Sequence, residues 1–249
     1  MQKKRQPTKE YLIDHPLCCY CNGRKISAER DHAPARVIFK GKQAPEDHDE
    51  FPACRDCNGA ASLSEQVAAF YFRAFDLENS PLDEVEFKKL IDALVNNAPN
   101  ALPTINTDRL SREAQMPPVA KRFFEVFALK MLYAMHYKTT GKPAGPHQRR
   151  IATWAQSGTP AAQSIRESAN AWFDKMIIGQ RRNVDLGNQF RYQIGHNPAH
   201  GYLGLHMSFG ESFVFFCALG PAREMIRLKP KPPLWTSIAA MGNAIKSRR

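Results

Sequence analysis

No apolar run in this 249-residue chain approaches the ~18 residues needed to cross a membrane, so no span is expected. The first residues, MQKKRQPTKEY, are basic, but no apolar stretch follows them, which argues against an export signal. A cytoplasmic protein is expected. Cysteine is sparse, with six in all. In a reducing compartment these read as metal ligands or free thiols, not disulfides. Residues 17–60 have no long apolar period and are rich in Cys, Asp, Pro and Gly, so the segment buries little core and needs a staple. Acidic residues thin out toward the C-terminus. Residues 1–60 hold 11 basic and 9 acidic side chains, residues 61–120 hold 5 and 9, and residues 121–249 hold 19 and 6. The net +11 is therefore concentrated in the last half, as expected of a surface that meets a polyanion, most often nucleic acid. Arg149 and Arg150 in HQRR, Arg181 and Arg182 in QRR, and Lys229 and Lys231 in RLKPK are the candidate phosphate contacts.

A hydrophobic share of 43% with 15 phenylalanines supports a real core. Residues 1–16 read as a basic, loosely ordered arm. From Glu65, the residues Val67, Ala68, Phe70, Tyr71, Ala74 and Phe75 recur at helical spacing. A second helix is expected to open at Ser80 and Pro81, with an N-cap and a proline in the first turn. Its apolar face is Leu82, Val85, Leu90, Ile91 and Leu94. Asn and Pro punctuate 96–118, which reads as a linker. A strong helix is expected from about Val119 to Tyr137, with Phe123, Phe124, Phe127, Met131 and Met135 as core, and another from Pro160 to about Ile178. QFRYQIGH, GYLGLHMSF and ESFVFFCAL are three short β-like runs, the first two alternating, that predict a small antiparallel meander. No internal repeat is evident.

Cys18-x2-Cys21 and Cys54-x2-Cys57 are two knuckles of the spacing that makes a closed four-thiolate zinc site. Zinc would supply the missing staple, because binding free energy in such a site is folding free energy. Cys19 lacks the two-residue gap to Cys21, and Cys217 sits in a Phe-rich run as a plain core thiol. Bringing the knuckles together brings Asp31-His32, in ERDHAPA, toward Asn58, which follows the last cysteine.

These residues carry a resemblance. CxxC, then Asp-His with a proline two residues on, then CxxC-Asn opening a helix resembles the HNH endonuclease motif, the zinc-bracketed ββα-metal finger. The likeness covers roughly residues 17–75. It implies an α+β chain: a small zinc-stapled ββα-metal module at 17–78 after an N-terminal arm at 1–16, a helix and linker at 79–118, and a basic helical plus β region at 119–249 for DNA binding or target recognition. It implies metal-dependent hydrolysis of DNA phosphodiesters, with His32 as general base and Asp31 and Asn58 as oxygen ligands of Mg²⁺ or Mn²⁺. By analogy alone it points to restriction or phage defence and to partner proteins of such a system. Two positions depart from the pattern. HDE at 48–50 stands where an Asn usually steadies the loop, and Ala61 replaces a common basic residue. Two other readings stay open, an inactive zinc-stapled nucleic-acid-binding module and an RNA-directed nuclease. His196, His200 and His206 match no ligand spacing and read as polar residues around a hairpin turn.

Overall fold

The computed structural model describes residues 6–39, 49–76, 84–105, 114–174, 176, 180–185, 189–221 and 225. Lys229, Lys231 and the proposed cap at Ser80-Pro81 lie outside them. The side chains of Arg181 and Arg182 are also outside them.

The chain is α+β. Helix α1 (Thr8–Asp14) precedes a hairpin of β1 (Glu29–His32) and β2 (Glu50–Ala53), and α2 (Arg55–Ala74) follows at once. Strands β1 and β2 pair antiparallel, with Asp31 opposite Phe51 and His32 opposite Glu50. Then come α3 (Glu84–Asn97), the two-residue strands β3 (Thr104–Ile105) and β4 (Ala114–Gln115), α4 (Pro118–Thr140), β5 (Gln148–Gln156), α5 (Pro160–Asp174), β6 (Gln180–Asp185), β7 (Arg191–Asn197), β8 (Tyr202–Phe209) and β9 (Phe213–Pro221).

Helix α4 organises the core. Pro118 stands in its first turn, where its missing N–H costs nothing. Gly141 ends it in the left-handed region at φ 69°, its N–H closing on the Tyr137 carbonyl at 2.8 Å. Between these ends the helix is apolar almost all round, and such a helix is stable only when enclosed. It is enclosed by α2 on one side and by the sheet on another. Phe124 and Phe127 of α4, Phe72 of α2, and Phe209, Phe213 and Phe215 of the sheet form one aromatic cluster, with Phe72 stacked on Phe209 at 4.1 Å.

The sheet has five strands in the order β5-β9-β8-β7-β6, all antiparallel. The expected meander is β7-β8-β9, and β5 and β6 extend it at the two edges. Strand β9, between β5 and β8, is buried along both faces. Phe213, Phe215, Cys217 and Leu219 join the core around α4, while Phe216 and Ala218 pack toward α5 with Phe173. That alternation is the period of a strand covered on two sides. Helix α5 lies so close that a Cβ on Gly204 would meet Trp172 at 2.5 Å, so this strand position requires glycine.

The N-terminal stretch differs from a loose arm. Residues 8–14 are helical, and the Tyr11 hydroxyl donates to the Glu50 carbonyl at 3.0 Å. Helix α2 starts ten residues before the expected Glu65, because it opens at the second cysteine knuckle.

Candidate metal centre and the hairpin beside it

The first knuckle is a tight turn. Cys18 N–H donates to the Lys25 carbonyl at 2.9 Å, and Asn22 and Gly23 take the left-handed conformation at φ 58° and 68° that the reversal needs. The second knuckle is the start of α2, with Cys54 at the N-cap and Cys57 in the first turn. The positive end of that helix favours thiolates there. The four sulfurs of Cys18, Cys21, Cys54 and Cys57 lie within 4.8 Å of one another, and all four residues are buried. Sulfurs held ~2.3 Å from one zinc ion stand at such separations, so the residues fit a structural zinc. Hydrogen bonds within the tetrad split its thiols: Cys18 and Cys57 hold Cys21 far below its ordinary range, and the bond to Cys21 pushes Cys18 up to about 12. Cys19 is not in the tetrad. It is wholly buried, and burial pushes its thiol up.

The tetrad fastens the hairpin to α2. Along β1 the side chains alternate, so Asp31 and His32 serve opposite faces, as the adjacency in ERDHAPA suggests. Asp31 turns inward. Its Oδ2 is 2.6 Å from Nζ of Lys130, a fully buried lysine in α4 that also pairs with Glu65 of α2 and sits 5.5 Å from the centre of the Tyr20 ring. Lys130 Nζ also reaches the His32 carbonyl at 3.5 Å. Burial disfavours the ammonium, but Asp31 and Glu65 outweigh it and hold Lys130 charged. This network locks the hairpin, α2 and α4 into one unit.

Asn58 lies in the first turn of α2, and its Nδ2 donates to Glu29 Oε2 at 2.7 Å. Glu29, two residues before Asp31, shares its side of the strand. The resemblance asks Asp31 and Asn58 to hold a divalent cation together. Instead, Asp31 already faces a fixed ammonium, which repels a second cation, while Asn58 meets Glu29 through its amide nitrogen. As arranged, Asp31 does not fit Mg²⁺ or Mn²⁺. Among the described residues, the cysteine tetrad is the one group of Cys, His and carboxylates placed to hold a metal.

His32 faces the other side. Its side chain is 22% exposed, and Nε2 stands 3.8 Å from Oε1 of Glu50. Of the candidate phosphate contacts, Arg149 is half-buried on β5. Arg150 is buried, with its guanidinium 5.3 Å from the centre of the Tyr133 ring. That corrects its reading as a surface contact: on the core-facing side of β5, Arg150 is a packing residue. His136 and His196 line a cleft of about 530 Å³ with Lys142 and Gln148. Burial lowers His136 to about 4 and also lowers His196, so both imidazoles are neutral near pH 7.

Sequence reasoning missed Lys130, Glu65, Glu29 and Glu50. The signal for Lys130 was a single charge inside FALKMLYAM, a run otherwise free of charge, where a buried cation must find partners. Removing it leaves two buried carboxylates facing each other. Lys130→Met should therefore cost about 3–5 kcal/mol, read as a drop in the urea midpoint at constant slope. Adding Asp31→Asn and Glu65→Gln to Lys130→Met should return most of that loss.

Glu65 carries its own pH signature. Burial pushes its carboxyl up from 4.5 to about 7, Lys130 pulls it down, and Asp31 raises it again. The folded value thus lies above the unfolded one, so its contribution to stability is full below about 4.5 and is lost as pH rises through about 7. Wild-type stability minus that of Glu65→Gln should fall between those limits and level off above them. Urea melts of the two proteins at matched pH give the difference directly, and effects on the cysteines, shared by both, cancel.

No protein-family model, curated protein or solved structure matches the chain.

Proposed function

We propose that the chain is an HNH-type endonuclease that hydrolyses phosphodiester bonds in DNA, with His32 as its general base. The observation that carries this reading is the cysteine tetrad, which joins a β hairpin to a helix in the order β1-β2-α2 and leaves His32, at the end of β1, partly open to solvent beside Glu50. A neutral imidazole accepts a proton at its unprotonated ring nitrogen. In the proposed step, His32 takes a proton from a water molecule. The water oxygen bonds to phosphorus as the bond to the leaving sugar oxygen breaks, that oxygen takes up a proton from solvent, and the imidazolium gives its proton back to solvent to restore the base. The excess of basic residues in 121–249 supports a polyanionic substrate by charge alone.

The ion pair between Asp31 and Lys130 favours a second reading, a zinc-stapled module that binds nucleic acid without cutting it. One assay separates the two. Zinc-loaded protein is incubated with supercoiled plasmid, in chelator-free buffer and with added Mg²⁺ or Mn²⁺, alongside a structured RNA of similar length. Nicked or linear plasmid supports the nuclease. Retarded but intact plasmid in every buffer supports the binding module. Cleavage confined to the RNA arm moves the substrate to ribonucleic acid.

A further inference from the structure

Away from the hairpin, the end of α4 and the turn between β7 and β8 border the cleft of about 530 Å³, the size of a small-ligand site. His136 and His196 line it with Lys142, Pro143, Gln148 and Pro198. The protein fixes its walls. Gln148 spans them: its Oε1 accepts the Gly145 N–H at 2.7 Å, and its Nε2 donates to the Gly201 carbonyl at 3.4 Å. Pro143 stands against the first cysteine knuckle, where an added Cβ on Gly23 would lie 3.3 Å from its ring.

His136 carries the chemistry. Its Nδ1 is 3.1 Å from the Lys142 carbonyl oxygen, which can only accept. Nδ1 therefore bears the proton, and in the neutral ring Nε2 keeps its lone pair. His136 is only 7% exposed, yet among the described residues Nε2 has no partner, and it is not sealed from solvent. An acceptor desolvated this far without a partner is costly, and a donor on a ligand recovers that cost. Burial keeps both imidazoles neutral near pH 7, so they offer no charge to a carboxylate. The exposed Lys142 ammonium disfavours a cationic donor. A neutral N–H donor remains. Pro143, Pro198 and the His196 ring are flat neighbours that suit a planar ring. Unstacked nucleobases are recognised through these same contacts, an edge hydrogen bond and a ring laid on an aromatic side chain. Lys142 and the basic excess of residues 121–249 favour an attached phosphate.

We propose that this cleft binds one unstacked nucleobase, whose edge N–H donates to Nε2 of His136 while its ring lies against His196 and its phosphate meets Lys142. The site does not involve His32 and stands whether or not the chain cuts DNA. The base belongs either to a single strand or to a free nucleotide.

The test uses the full, zinc-loaded chain without added divalent metal, and reads the ¹⁵N signals of the histidine rings together with calorimetric affinity. The probes are AMP, purine riboside 5′-monophosphate, which lacks only the amino group, ribose 5-phosphate, and single-stranded oligoadenylate. AMP should shift the His136 and His196 signals saturably. Purine riboside 5′-monophosphate should bind roughly tenfold more weakly, the worth of one neutral hydrogen bond, and ribose 5-phosphate should leave both rings unmoved. His136→Phe should erase the difference between AMP and the purine analogue. His196→Ala should weaken both by at least about fivefold, the lower end for loss of a stacking ring. Oligoadenylate binding more tightly than AMP identifies a strand as the source of the base, and equal affinity identifies the free nucleotide. Three results overturn the proposal: no saturable shift at millimolar nucleotide, equal binding of AMP and the purine analogue by wild type, or ribose 5-phosphate acting as AMP does, which reduces the site to a phosphate contact of Lys142. Should His136→Phe fail to fold, the comparison of AMP with the purine analogue in wild type, and the loss of both in His196→Ala, decide it. A wild type that cuts plasmid but binds no nucleotide loses this site and keeps the nuclease reading, and the reverse result loses the nuclease alone.

Discussion

Replacing Cys57 with serine should abolish metal binding and unfold the segment from the first knuckle to the middle of α2. Cys57 is one of four buried sulfurs within 4.8 Å of one another, and a closed four-thiolate site has no spare ligand. The segment depends on that site because its regular structure is short and its large apolar side chains are few. The hairpin has four residues per strand, and the chain around it contributes only a few large apolar groups, Tyr20, Ile38, Phe39 and Phe51 among them. Zinc binding by such tetrads is worth about 10–16 kcal/mol at neutral pH. Whole domains are stable by only about 5–15 kcal/mol, so losing the ion exceeds what the remaining contacts supply. Elemental analysis should give about one zinc per chain for wild type and none for Cys57→Ser. Amide exchange over residues 17–60 should become unprotected. Cys19→Ser is the matched control: equally buried and next in sequence to a ligand, it should keep its zinc. Full zinc content and wild-type protection in Cys57→Ser would show that the tetrad is not the staple.

The parts legible in the sequence were those set by local spacing. The two knuckles named their own sulfurs, because a ligand pair needs a fixed gap, and the structure gathers those four and leaves Cys19 out. Helix α4 was legible within a few residues from its apolar run, β7 and β8 from their alternation, and β9 from its short continuous apolar run. The parts set by partners distant in the chain were not legible. Strand β5 carries Arg150, Ala152 and Trp154 toward the core and breaks no pattern rule only because Arg150 has Tyr133 to lie on. The start of α2 was obscured because RDCNGAASLS has little apolar periodicity, its buried side chains there being mostly small, Cys57, Ala60, Ala61 and Ser64. Asp31 read as a ligand because nothing near it in sequence competes for it. Its actual partner, Lys130, comes from a helix 99 residues later, across the core. Glu50 stood in a stretch whose role had no local signal, and its register opposite His32 exists only once the hairpin is formed.

His32→Ala should remove strand cleavage while leaving the rest of the protein as it is. The ring is partly exposed at the end of β1 and, among the described residues, belongs to no metal cluster, so its loss removes no zinc ligand. Zinc content and melting temperature should therefore match wild type, and plasmid retardation should be unaffected. The rate should fall by about 10²–10⁴-fold, the usual cost of losing a general base. Asp31→Asn should behave in the opposite way. It leaves Lys130 with Glu65 alone, so it should lower stability first and activity through it. The most direct single measurement is the rate at which supercoiled plasmid is converted to nicked or linear product by zinc-loaded wild type and His32→Ala at equal concentration, in the buffer that supports wild-type cleavage best. Cutting by wild type with a loss of at least about a hundredfold in the folded, zinc-loaded variant is the result expected. Equal rates in the two proteins, or no conversion by wild type in any buffer, would contradict the assignment of His32 and the nuclease with it.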